Sequence, residues 1–109
     1  MSVPFQIPTQ HFLIVAAMLF SIGLAVALTK RNTIVVLIGI ELMLNAINLN
    51  FVVFSRADTG LNGQFFALFV IIIAAAETAV ALAILLKIYR IYKTIDIDEL
   101  TQLKEPENV

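Results

Sequence analysis

Two carboxylic acids stand inside otherwise apolar stretches of this chain. Glu41 interrupts IVVLIGIELMLNAINLNFVVF (34–54), and Glu77 interrupts IIIAAAETAVALAILL (71–86). A charged group at the centre of a hydrocarbon layer costs a few kcal/mol, so such residues mark ion pathways, proton relays or specific partner contacts. The dry medium penalises the ionised form of a carboxyl, whereas amide hydrogen bonds and internal water favour it. A carboxyl balanced between these influences can take up and release a proton. Two acids close together would titrate as a coupled pair.

Amides accompany the first acid. Asn45 and Asn48 fall four and seven residues after Glu41, which places all three on one helix face, with Gly39, Met43 and Ala46 opposite. Asn45 and Asn48 also fit as interhelical hydrogen-bonding groups, and Asn50 lies on another face. Around the second acid, Ala74 and Ala81 flank Glu77 and leave room for water or a close neighbour. Thr78 is expected to bond its own helix backbone. Glu41 lies ten residues from Arg31 and Glu77 ten residues from Lys87. If those bases mark one membrane boundary, each acid sits roughly 15 Å inside it, near mid-membrane.

The elements that must hold these residues are transmembrane helices. Of 109 residues, 61% are hydrophobic and 14% charged, the charges falling mostly at the ends of apolar runs. That distribution excludes a soluble globule. A chain without cysteine and with one histidine has no thiolate or iron–sulfur chemistry and argues against a transition-metal site. The spacing predicts helices over about 11–29, 33–54 and 64–86, together a transmembrane domain of 1–93. A cytoplasmic acidic tail, 94–109, follows. Asp96 and Glu99 have capping-box spacing for a short surface helix, with disorder expected at the last few residues. Ala17, Ser21 and Ala25 form a small-residue stripe that predicts packing against another helix.

Ala25-Val26-Ala27 has the composition of a signal-peptide cleavage site, but the unbasic start and the Lys30-Arg31 pair favour a retained first helix. His11, at the outer end of that helix, reads as an interfacial polar residue. The second loop, 55–63, is rich in turn formers (Asp58, Gly60, Asn62, Gly63). Basic residues number two in the first loop (Lys30, Arg31), one in the second (Arg56), three after helix three (Lys87, Arg90, Lys93) and none at the N-terminus. The positive-inside rule then puts the N-terminus outside (periplasmic) and the C-terminus in the cytoplasm. Lys30 and Arg31 are topology anchors on this reading, with a docking or conformational role also open.

IPTQHFLIVAAMLFSIGL, RNTIVVLIGIELMLNAINL and NGQFFALFVIIIAAAETAVALAILL together resemble subunit K of bacterial NADH–quinone oxidoreductase, the respiratory complex I counterpart of the mitochondrial 4L subunit. The resemblance runs to about Tyr92 and leaves out the acidic tail. It implies an all-α, three-helix subunit of the bacterial inner membrane, packed among other membrane-arm subunits, antiporter-like ones included. It also implies that Glu41 and Glu77 belong to the charged chain coupling quinone reduction to proton pumping, and that Lys30 and Arg31 lie in a functionally sensitive cytoplasmic loop. NADH, FMN, iron–sulfur clusters and quinone would belong to partner subunits, with no cofactor in this chain and no nucleic acid among its partners.

Other readings compete. The small subunit of multisubunit cation/proton antiporters keeps an acid in helix two but usually lacks one in helix three; a membrane-bound hydrogenase subunit is a closer cousin. Small multidrug transporters have four helices and an acid in the first, and rotary-ATPase proteolipids have two helices. A purely structural assembly subunit would tolerate glutamine at both acidic positions.

Overall fold

The computed structural model describes residues 6–57 and 60–103. Asp58 and the last residues of the tail therefore lie outside the described part. Helices α1 (Thr9–Thr29), α2 (Thr33–Phe54) and α3 (Asn62–Tyr92) are each long and apolar enough to cross a membrane. A short helix, α4 (Ile97–Gln102), follows. The architecture is all-α, three potential spans, as composition demands. Helix α3 begins earlier and ends six residues later than the apolar run alone indicates. Its 31 residues extend roughly 46 Å, longer than the hydrocarbon core, so the Lys87–Tyr92 turns project from it.

Helix α2 is the central element. It packs extensively on α1 and along a narrower seam on α3, while α1 and α3 hardly touch. The α1–α2 contact is made by small residues. Ala16 and Gly23 on α1, and Gly39, Ala46 and Val53 on α2, are buried and recur at intervals of seven. A Cβ placed on Gly23 would come within 2.5 Å of the Gly39 carbonyl oxygen, and one on Gly39 within 2.8 Å of the Gly23 oxygen. The two backbones thus touch directly, the arrangement that lets helices gain dispersion contact in lipid. The stripe Ala17, Ser21, Ala25 does not make this contact. It lies on the exposed side of α1, because α1 turns the adjoining Ala16–Gly23 row towards α2. Ser21 and Thr29 instead donate to Ala17 O (2.7 Å) and Ala25 O (2.6 Å) in their own helix.

At one end, a 3-10 turn (Ser55–Ala57) redirects the chain into α3. Gly63 permits the tight return, since a Cβ there would lie 2.5 Å from Phe51 O and collide with Ser55. Arg56 reaches back to donate to Ile7 O (3.1 Å) and lies 5.3 Å from the Phe12 ring centroid, a cation–π geometry.

At the other end, Asn32 caps α2 by accepting from Ile34 N (2.9 Å) and Val35 N (3.3 Å). Lys93, left-handed at φ 59°, closes α3 and reverses the chain. The strand-like segment after it meets the first loop: Thr33 N donates to Ile95 O (3.1 Å) and Ile97 N to Arg31 O (2.8 Å), while Thr33 Oγ1 also donates to Ile95 O (2.7 Å). Asp96 Oδ1 then caps α4 through Asp98 N (2.8 Å) and Glu99 N (3.2 Å).

Gly23→Val and Gly39→Val should separate α1 from α2, since the nearest clashing atom at each position is a backbone carbonyl oxygen of the facing helix. The expected outcome is severe loss of the chain from membrane assemblies on native gels, with Ala17→Val on the exposed stripe far milder. Equal losses for all three would show that the Gly23–Gly39 contact is not special.

Candidate functional site

The polar face of α2 opens on a groove of about 510 Å³ between α2 and α3. Glu41, Leu44, Asn45 and Asn48 line it from α2, and Thr78 lies among the alanines and aliphatics of α3. The reason is rotational. Gly39 must face α1, and two residues further along a helix turn the side chain by about 200°, so Glu41 is aimed at α3.

Glu41 is half-buried in this groove, and the Thr78 hydroxyl donates to its Oε1. Asn48 is 8% exposed, and its Oδ1 has no hydrogen-bond partner within the described chain. Asn45 borders the open side of the same groove. Buried amide oxygens ordinarily find a partner, in water or in a neighbouring molecule when not in the chain itself. Asn50 Oδ1 is likewise buried and unpartnered. The site can therefore hold a carboxyl group with a hydroxyl donor on one side and room for water beside it.

Glu77 is not in this groove. Its side chain is exposed on the outer face of α3, so within this chain it is not a buried acid and does not meet Glu41. Thr78, one residue and about 100° further round the helix, takes the position facing α2. Ala74, expected beside Glu77, is buried on the groove side. Because Thr78 bonds Glu41, Glu77 stands within about one residue's rise of the same level along α3. Thr78 itself was expected to bond its own helix; the carboxylate across the seam takes its hydrogen instead.

Lys30 and Arg31 lie at the end of the bundle, away from the groove. Arg31 Nε stands 3.1 Å from Asp98 Oδ2, an ion pair with 75% and 57% of the side chains exposed. His11 is exposed in the first turn of α1. The structure thus gathers Glu41, Asn45 and Asn48, leaves Glu77 facing outward, and gives Arg31 a partner in α4. Two participants escape sequence reasoning, Thr78 and Asp98. The first is signalled only by its place on the Ala74–Leu82 face, and the second depends on a chain reversal at Lys93.

Three potential spans with an acid in an interhelical groove, a second acid facing outward and broadly exposed apolar surfaces define a small multi-pass membrane protein that packs among others. Residues 11–105 match the family of NADH-ubiquinone/plastoquinone oxidoreductase chain 4L, and the chain belongs to that family. Proteins named NADH-quinone oxidoreductase subunit K are similar along almost their whole length. The one from a Geobacillus species is 56% identical over 91% of this chain and 97% of its own. That of Bacillus anthracis is 54% identical over the same shares, 91% and 97%. That of Chlorobaculum parvum is 48% identical over 92% and 95%. With such bacterial relatives, the three helices belong to the inner membrane.

Asn48→Leu, close in volume, removes a buried amide whose oxygen has no partner among the described residues. Its expected outcome is unchanged abundance of the assembled complex on native gels. A clear fall in assembly would mean that a neighbouring molecule bonds that oxygen.

Proposed function

We propose that this chain is a membrane-arm subunit of a proton-pumping NADH–quinone oxidoreductase, in which Glu41 exchanges a proton within the α2–α3 groove. The observation that carries the reading is the placement of Glu41: a carboxyl near the middle of a transmembrane helix, in a groove with a hydroxyl donor and an amide oxygen that has no partner among the described residues. A group so placed has alternative hydrogen-bonding partners for its ionised and neutral forms, as proton exchange requires.

Glu77 serves a different contact. An acid exposed on an apolar helix at membrane depth needs a partner from a neighbouring subunit, and that contact passes charge rearrangement from this chain to the next, an antiporter-like subunit included. The N-terminus lies on the periplasmic side and the Arg31–Asp98 end in the cytoplasm, in keeping with the distribution of bases. NADH, FMN, iron–sulfur clusters and quinone are held by partner subunits, and this chain performs no redox chemistry. Moving one charge against the membrane potential takes about 2.3 kcal/mol per 100 mV, supplied by electron transfer elsewhere in the complex. Lys30 and Arg31 act as anchors of the cytoplasmic loop, Arg31 through Asp98.

Glu41→Gln, Glu77→Gln and the double variant test this reading in membranes carrying the assembled complex. Proton pumping and quinone-linked NADH oxidation are both expected to fall, most strongly for Glu41→Gln, with assembly checked on native gels. Normal pumping in all three variants would leave a scaffold and end the relay reading.

A further inference from the structure

Six residues of α3 line the Glu41 groove: Ile71, Ala74, Ala75, Thr78, Ala79 and Leu82. Each lies three or four residues from another of the set, so together they trace one helix face. Five have aliphatic side chains, so Thr78 brings the only side-chain polar group that α3 contributes to the groove. Of all the residues lining it, Glu41 alone is titratable.

The Thr78 hydroxyl, like that of Thr33 at the start of α2, donates outside its own helix. Ser21, Thr29 and Thr101 donate to the carbonyl four residues back, at 2.6–2.7 Å, the common habit of hydroxyl residues in helices. Thr78 donates across the seam to Glu41 Oε1. An ionised carboxylate can only accept, and the observed bond suits it. A protonated carboxyl can donate as well, and Thr78 Oγ1 can then accept while turning its own hydrogen to its helix. A hydroxyl serves both states; an aliphatic side chain serves neither. Position 78 also adjoins Glu77, whose side chain leaves the same turn of α3 towards the exposed face.

We propose that Thr78 is a positioning residue for proton exchange at Glu41. Its hydroxyl holds the carboxyl at the α2–α3 seam in both protonation states, and it ties that state to the turn of α3 that carries Glu77. The inference rests on the relay reading of Glu41.

The test compares Thr78→Val, which keeps the shape and removes the hydroxyl, with Thr78→Ser, which keeps the hydroxyl, in the assembled complex beside Glu41→Gln. Two quantities are read: NADH-driven proton pumping, and the infrared carboxyl band assigned to Glu41 by its disappearance in Glu41→Gln. Thr78→Val is expected to lower pumping severalfold and to move the band to higher wavenumber, as loss of a hydrogen bond does, with Thr78→Ser close to the unchanged protein in both. Should Thr78→Val fail to assemble, Thr78→Ala takes its place with the same readouts. An unmoved band, unchanged pumping, or a serine variant as impaired as the valine variant would each overturn the role of Thr78. Normal pumping in Glu41→Gln would instead remove the relay reading beneath it, whereas a pumping defect in Glu41→Gln with none in Thr78→Val sinks only the proposal for Thr78.

Discussion

Helices in hydrocarbon gain little by burying one leucine against another, since the lipid is as apolar as the partner. What holds them together is close contact, and in this chain that contact is the meeting of the Gly23 and Gly39 backbones. The consequences spread along α2. With Gly39, Ala46 and Val53 committed to α1, the opposite face of α2 must look towards α3, and on that face stand Glu41, Asn45 and Asn48. The position of the acid is thus set from behind, by glycine packing on the far side of its helix.

The α2–α3 seam has a different character. Apart from the stacked Phe51–Phe66 pair, whose ring centroids are 6.1 Å apart, and the buried Ala67 and Ala74, it opens into the groove around Glu41 and is bridged by the Thr78 hydroxyl. A loosely packed, partly polar seam can admit water and tolerate a change of charge; a close-packed glycine contact cannot. The outer faces are unfinished in another sense. Phe65, Phe66, Phe69 and Leu86 are more than half exposed, which lipid or protein can cover. Glu77 among them is a group that lipid cannot satisfy.

The end bearing Arg31 is tied mainly by backbone. The Arg31–Asp98 pair is largely exposed, and such pairs contribute about 0–1 kcal/mol. The main-chain bonds between Thr33 and Ile95 and between Ile97 and Arg31 hold the first loop against the segment leaving α3. The left-handed residue at Lys93 makes this possible, because an uninterrupted helix would carry residues 94–98 away from the loop. Movement of α3 along its axis would therefore be felt by the first loop.

Much of this could be read without coordinates. Continuous apolar runs determine three helices because only a helix satisfies every backbone group within its own segment in a membrane. The spacing Glu41–Asn45–Asn48 determines a shared face because helical periodicity is local. Asp96 as a cap follows from the same short-range rules. The family resemblance was likewise carried by contiguous motifs. Tertiary structure decided what local rules leave open, namely the rotation of each helix about its own axis. That rotation put Ala16 and Gly23, rather than Ala17, Ser21 and Ala25, against α2. It also turned Thr78 rather than Glu77 towards Glu41, while the chain reversal at Lys93 brought Asp98 to Arg31. The physical reason is that neighbouring positions on a uniformly apolar helix are nearly equivalent in hydropathy. Only the fit of particular backbones, Gly23 upon Gly39, distinguishes one facing row from the next.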